Sequence, residues 1–255
     1  MTLHHRVDGD GERVLVLSGS LGCTLEMWEP QVPSLAAQLR IVRYDHPGHG
    51  RSALPARGAT VDDFAEAVLE LLDRLGVERF SFCGLSLGGA VGLTVALRAG
   101  PRLERLVLCC TAARIATPEF WAGRAATVRS AGIESIADAV VGRWFTPEYT
   151  AAEPATVQRY RALLVATPPE GYARCCDVLG AFDVRSRLGS VEVPTLVIAG
   201  AEDPVVSLDD AVELELGIAQ ARLALLAPAA HLANIECHRE FNRELVAHLT
   251  AEVAA

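Results

Sequence analysis

The run Arg79 to Ala96, RFSFCGLSLGGAVGLTVA, constrains the fold of this 255-residue chain more than any other stretch. Arg79 to Cys83 alternates aromatic with small or polar residues and reads as a strand, and Gly84-Leu85-Ser86-Leu87-Gly88 follows with no spacer. From Gly88 onward the residues are small and apolar on every side, which predicts a helix packed closely on a sheet. In that order of strand, sharp turn and buried helix, a G-x-S-x-G turn lets the Ser86 hydroxyl project above the sheet, because Gly84 and Gly88 carry no Cβ atom to block it. The helix N-terminus brings backbone N–H groups and the positive end of a dipole beside that hydroxyl. A chain with 21 glycines also meets the bare pattern by chance, so the surrounding residues decide its meaning.

Around this run, strands alternate with helices. Leu3 to Val7 and Arg13 to Leu17 read as strands joined by Asp8-Gly9-Asp10-Gly11, a hairpin signal. A helix from about Pro33 to Leu39 leads into a strand at Arg40 to Asp45. Thr60 is placed to cap a helix with the stripe Phe64, Val68, Leu71, Leu72 and Leu75, and Gly76 ends it. A strand at Leu103 to Cys110 comes next, and the alternation resumes with strand Thr195 to Ala199, helix Leu208 to Leu216, strand Arg222 to Leu226 and helix Asn234 to Leu249. This predicts an α/β fold, a mostly parallel central sheet covered on both faces. Between Thr111 and Ser190 only helical segments are visible, at Glu119 to Ser130, Ile133 to Trp144, Pro154 to Ala166 and Gly171 to Leu179. Residues 111–190 therefore read as a helical cap, or lid, inserted into a core made of 1–110 and 191–255.

Composition narrows the partners. A hydrophobic content of 51% supplies one large core and excludes disorder. The net charge is −9, and all 23 basic residues are arginines with no run among them, so neither nucleic acid nor a membrane is an expected partner. Met1 to Gly11 lacks the apolar centre of a signal peptide, and no segment approaches the ~20 apolar residues of a membrane span. The expectation is a soluble, cytoplasmic protein. Its cysteines, at 23, 83, 109, 110, 175, 176 and 237, are odd in number and form no C-x-x-C, which fits free thiols in a reducing compartment. His46 and His49 flank a Pro47-Gly48 turn with no third ligand nearby, so no metal is expected. No cofactor is expected either, since the chain carries no Walker motif and no G-x-G-x-x-G.

A serine hydroxyl near neutral pH needs a base within reach and a third group to orient that base. Gly200-Ala201-Glu202-Asp203-Pro204 leaves the C-terminal end of one strand, and Pro228-Ala229-Ala230-His231 leaves the next. In a parallel sheet these ends share the edge that carries Ser86. Ser86, Asp203 and His231 thus form a candidate nucleophile, acid and base, in the chain order such folds use, with Glu202 the rival acid. The N–H groups of Leu87, after the serine, and of Leu21, in Ser18-Gly19-Ser20-Leu21-Gly22, are the candidate oxyanion hole.

These residues also carry a resemblance. The Ser18 to Gly22 loop with Met27-Trp28 downstream, Gly84 to Gly89, and the segments TAARIATPEFW (111–121), RWFTPEY (143–149) and TPPEGYARCC (167–176) resemble the 3-oxoadipate enol-lactonases, hydrolases of aromatic catabolism with the α/β-hydrolase fold. The likeness spans roughly residues 14–236, with Gly19 standing where many members have asparagine and Ala230 where glycine is common. The resemblance implies hydrolysis of a cyclic enol ester bearing a carboxylate, with Ser86, Asp203 and His231 as the triad and no cofactor. A small anionic lactone is then the partner, and an acidic protein needs a local positive group to hold it. Trp121 and Arg124 lie three apart on one predicted helix, so Arg124 is the candidate carboxylate ligand, with Trp121 and Trp144 as flat walls. Arg114, Arg129, Arg143 and Arg161 are the other arginines weighed in the cap. A general esterase, a cofactor-free haloperoxidase-type relative and a non-catalytic hydrolase-fold receptor remain alternatives. Steady turnover of an enol-lactone separates the last from the enzymes.

Overall fold

The computed structural model describes residues 1–251. The alternating apolar runs form a sheet of seven strands: β1 (His5–Asp8), β2 (Arg13–Ser18), β3 (Leu39–Tyr44), β4 (Phe80–Leu85), β5 (Leu103–Cys109), β6 (Thr195–Gly200) and β7 (Ala221–Leu226). Their order across the sheet is β1-β3-β2-β4-β5-β6-β7. From β3 to β7 every pairing is parallel, and β1 runs antiparallel on β3. The central strands are buried along most of their length, so that β2 and β6 read as apolar runs, and even the alternating β4 is buried on both faces.

The hairpin expected at residues 3–17 does not form. β3 lies between β1 and β2 and pairs with both. The Gly9 turn instead carries the chain across the end of β3, so close that a Cβ there would sit 2.2 Å from the Leu39 carbonyl oxygen. Turn-forming residues do not specify which strands pair, because pairing is a tertiary property.

The first helices cover the sheet. After α1 (Val32–Leu35), shorter than expected, comes α2 (Val61–Arg74), capped by Thr60: its side chain accepts from the Asp63 N–H while Asp63 accepts from the Thr60 N–H. α3 (Leu87–Ala96) has every residue from Leu87 to Val95 buried, because it runs beneath α2 and across β4 and β5.

Between β5 and β6 the described chain forms α4 (Pro118–Ala131), α5 (Glu134–Val141), α6 (Pro147–Ala152), α7 (Pro154–Val165) and α8 (Pro169–Ala181). The sequence reading missed α6, because Pro147 looks like a breaker; it stands instead at the first turn, where its missing N–H costs nothing, and Thr146 caps it. α4 packs extensively on α8. The cap meets the core backbone to backbone at Gly48 and Gly171, where a Cβ on Gly171 would lie 2.1 Å from the Gly48 carbonyl oxygen.

α9 (Leu208–Gly217) joins β6 to β7, and the chain closes with α10 (Ala233–Glu236) and α11 (His238–Thr250). The single closing helix expected from Asn234 is broken at Cys237, whose backbone (φ −112°, ψ 42°) leaves the helical region. Among the described residues no helix is long and apolar enough to cross a membrane.

Candidate active site

Ser86 occupies a strained turn. It is one of the few non-glycine residues with positive φ (58°, ψ −115°), a conformation that costs on the order of 1–3 kcal/mol and persists only where the surroundings enforce it. Here the enforcement is close packing: a Cβ on Gly84 would lie 2.1 Å from the Gly88 carbonyl oxygen, and one on Gly88 would lie 2.1 Å from that of Ser18. The Ser86 N–H donates to the Cys109 carbonyl at 3.0 Å, and the Thr111 hydroxyl donates to the Ser86 carbonyl at 2.9 Å. The turn is thus anchored to the next strand on both sides.

The acid and base come from the two loops that the sequence singled out. His231 Nδ1 and Asp203 Oδ2 are 2.8 Å apart, with both side chains almost wholly buried. The other carboxylate oxygen of Asp203 accepts the N–H groups of Val205 (2.8 Å) and Val206 (3.2 Å). Those donors fix the carboxylate plane, and the carboxylate in turn draws the imidazole proton to Nδ1, leaving Nε2 as the basic nitrogen. Glu202, the rival acid, is exposed.

The loop after β2 is positioned by four contacts. Gly19 offers its carbonyl to the Gly88 N–H at 2.9 Å and to His46 Nε2–H at 2.8 Å. Met27 Sδ accepts the Ser20 N–H at 3.1 Å, and His49 Nε2 accepts the Gly22 N–H at 3.0 Å. Leu21 N–H is left without a protein acceptor among the described residues, and so is Leu87 N–H, the two donors expected to form an oxyanion hole. His46 and His49 therefore spend ring nitrogens on holding this loop. Burial pushes the pKa of His46 down to about 3, with the His49 charge adding to the effect, and burial pushes His49 down to about 4, so both are neutral near pH 7.

A cavity of about 230 Å³ lies between this edge of the sheet and the cap. Ser86, His231 and Leu21 border it from the core, and Trp121, Arg124 and Trp144 border it from the cap, as the sequence led us to expect. Asp203 stands behind His231. Trp121 directs its indole N–H to the Ile115 carbonyl, and the Arg124 guanidinium lies over the Phe120 and Trp121 rings at 4.7 and 5.7 Å from their centroids. Of the other arginines weighed, Arg129 pairs with Glu170 and Asp177, Arg161 pairs with Glu134 and Asp138, and Arg114 does not border the cavity.

Sequence reasoning weighed Arg143 behind Arg124 and passed over Tyr172. Arg143 borders the cavity beside the His231 loop: the carbonyl of its neighbour Trp144 accepts the Leu232 N–H at 2.9 Å. Tyr172, buried on α8, also borders it. The RWFTPEY and TPPEGYARCC segments contain both residues, but an unpaired arginine looks like any other until its neighbours are known. Glu236 was also unforeseen; it accepts the N–H of Ala230 at 2.9 Å and both the N–H and hydroxyl of Thr146, tying the His231 loop to the cap.

The sheet, the strained serine turn and the buried carboxylate–imidazole pair on neighbouring strand ends define a class of fold, and comparison with known proteins agrees. The chain belongs to the alpha/beta hydrolase fold family, whose family model matches residues 12–236. Among curated relatives it is 35% identical to 3-oxoadipate enol-lactonase 2 of Acinetobacter baylyi, over 97% of this chain and 92% of that protein. It is 33% identical to a protein of Agrobacterium fabrum named, provisionally, as the carbamate hydrolase RutD, over 97% of this chain and 96% of the other. Among solved structures, the enol-lactonase from Burkholderia xenovorans superposes with a TM-score of 0.95 at 42% identity, covering 98% of this chain and 96% of that one.

Proposed function

We propose that this chain hydrolyses a small carboxylated lactone, and that 3-oxoadipate enol-lactone, on the path of aromatic catabolism, is its substrate. The observation that carries this reading is a cavity in which Arg124, a cap arginine with no carboxylate partner among the described residues, borders the same space as Ser86 and His231. The named enol-lactonases among the relatives support the choice of substrate. A cytoplasmic setting, expected from the sequence, is part of the proposal.

In this reading His231 Nε2 takes the Ser86 proton as Oγ attacks the lactone carbonyl carbon, and the N–H groups of Leu21 and Leu87 hold the oxyanion. Collapse of the tetrahedral intermediate breaks the ring C–O bond, and the freed enol oxygen receives the proton from His231. Water, deprotonated by the same nitrogen, then displaces the acyl group from Ser86 as a carboxylate. Asp203 stabilises the imidazolium formed in each half. Arg124 holds the substrate's existing carboxylate throughout, and Trp121 and Trp144 flank the ring.

The test follows the ultraviolet loss of the enol-lactone beside a panel of neutral esters and a carbamate. The proposal expects fast, saturable lactone turnover. It also expects Arg124→Met to lower kcat/KM on the lactone by about 1.5–3 kcal/mol, the range for a charge-assisted hydrogen bond, with neutral esters nearly unaffected. Equal losses on both substrates would point to a packing defect, and a preference for the carbamate would favour the activity named for the RutD relatives.

A further inference from the structure

The cavity holds more positive charge than a lactone with one carboxylate requires. Every cap arginine on α7 and α8 has a carboxylate partner: Arg159 with Glu29, Arg161 with Glu134 and Asp138, Arg174 with Glu170. Arg124 and Arg143 have none among the described residues, and both border the cavity. Arg143 makes one hydrogen bond from its side chain, Nε–H to the Ala139 carbonyl at 3.3 Å. Both are half-buried, and they repel: burial and the Arg124 charge together lower the pKa of Arg143. Two half-buried like charges with no counter-ion are a costly arrangement in an acidic protein, and an anion from outside relieves it.

A third group points the same way. Tyr172 is buried and borders the cavity, and its hydroxyl, beside the Arg124 guanidinium, donates to no acceptor among the described residues. An O–H with no acceptor is a donor that a ligand oxygen can use. The two cations reach the space from different elements of the cap. Arg143 adjoins the His231 loop through the Trp144–Leu232 hydrogen bond, whereas Arg124 projects from α4 over the Phe120 and Trp121 rings.

We propose that Arg124 and Arg143 form a two-cation site for the two carboxylates of a short dicarboxylate, with the Tyr172 hydroxyl donating to one of them. On the lactonase reading, on which this corollary rests, hydrolysis adds water across the ring C–O bond and turns a monoanion into a dianion, releasing one proton to solvent near pH 7. The site then matches the product better than the substrate. The protein therefore holds its product more tightly than its substrate.

Titration calorimetry on the intact protein tests the site without using its activity. The probes are adipate, hexanoate of the same chain length, and dimethyl adipate. Adipate is expected to bind at least about tenfold more tightly than hexanoate, and dimethyl adipate more weakly than either. Arg143→Met and the gentler Arg143→Gln should each collapse the adipate advantage. Tyr172→Phe should weaken adipate while leaving the thermal midpoint nearly unchanged, because it removes an O–H that donates to no protein acceptor among the described residues. If adipate and hexanoate bind equally, both arginines clamp a single carboxylate and the proposal fails. It fails also if a folded Arg143 variant keeps the full adipate advantage. A protein that binds adipate as expected but does not turn over the enol-lactone would instead remove the lactonase reading and leave the dicarboxylate site standing.

Discussion

Ser86, His231 and Asp203 are expected to behave as one unit. Ser86→Ala and His231→Ala should each lower kcat by about 10⁴-fold or more with the fold intact, and Asp203→Asn should retain more activity, because the Val205 and Val206 amides still hold the side chain in place. Purified Ser86→Ala turning over near the wild-type rate would rule out the serine mechanism. The two histidines under the loop after β2 carry a different expectation. His46, with a pKa near 3 in the fold, and His49, near 4, each titrate near 6.5 in the unfolded chain. The unfolded state therefore binds more protons between these values, so their contribution is complete above about pH 6.5 and is lost as pH falls toward 4 and then 3. Its size is on the order of 5 kcal/mol for His46 and 3 kcal/mol for His49. Urea midpoints measured from pH 7.5 to 4 should fall, and His46→Gln, which keeps an N–H donor, should be less stable at pH 7.5 yet show a shallower slope; an unchanged slope would contradict this assignment. Because these rings are committed to the Gly19 and Gly22 backbone, prolonged EDTA treatment should leave the rate unchanged.

At the scale of elements, Glu236 joins two that are far apart in sequence, receiving Ala230 N–H before the candidate base and Thr146 N–H and hydroxyl at the start of α6. Glu236→Ala should destabilise the protein by about 1–3 kcal/mol, since it strands buried donors, and should lower kcat more than it raises KM; loss of stability with unaltered kinetics would confine Glu236 to a structural role. The elements themselves were largely legible. α2 announced itself by its stripe and its Thr60 cap, and the serine turn by glycines at the two places where backbone comes within van der Waals distance. The errors have common physical causes. The β1–β2 hairpin failed because turn residues do not specify which strand fills the next place in a sheet. α6 was missed because proline reads alike at a helix start and at a helix end, and the break at Cys237 carries no glycine or proline to mark it. Among the candidate site residues, Ser86, Asp203 and His231 follow from strand ends and chain order. Arg143, weighed behind Arg124, and Tyr172 do not, since what distinguishes them is their place on the cavity wall, a property of three dimensions.

The whole molecule is a core and a cap that share contacts at several separated points: Leu232 with Trp144, Glu236 with Thr146, Arg159 with Glu29, and Gly48 against Gly171. Calorimetry should accordingly record one cooperative unfolding transition, and an early melt of the cap alone would show these contacts to be weaker than their number suggests. Gly171→Ala should cost about 1–3 kcal/mol, because its methyl would press on the Gly48 carbonyl and backbone there cannot yield cheaply. That bare-backbone seam lies one residue from Tyr172, which borders the cavity. Caps are therefore not freely interchangeable modules: a cap grafted from another hydrolase inherits the height of its pocket wall from the acceptor core, and it seats only if it arrives with no side chain at that one position.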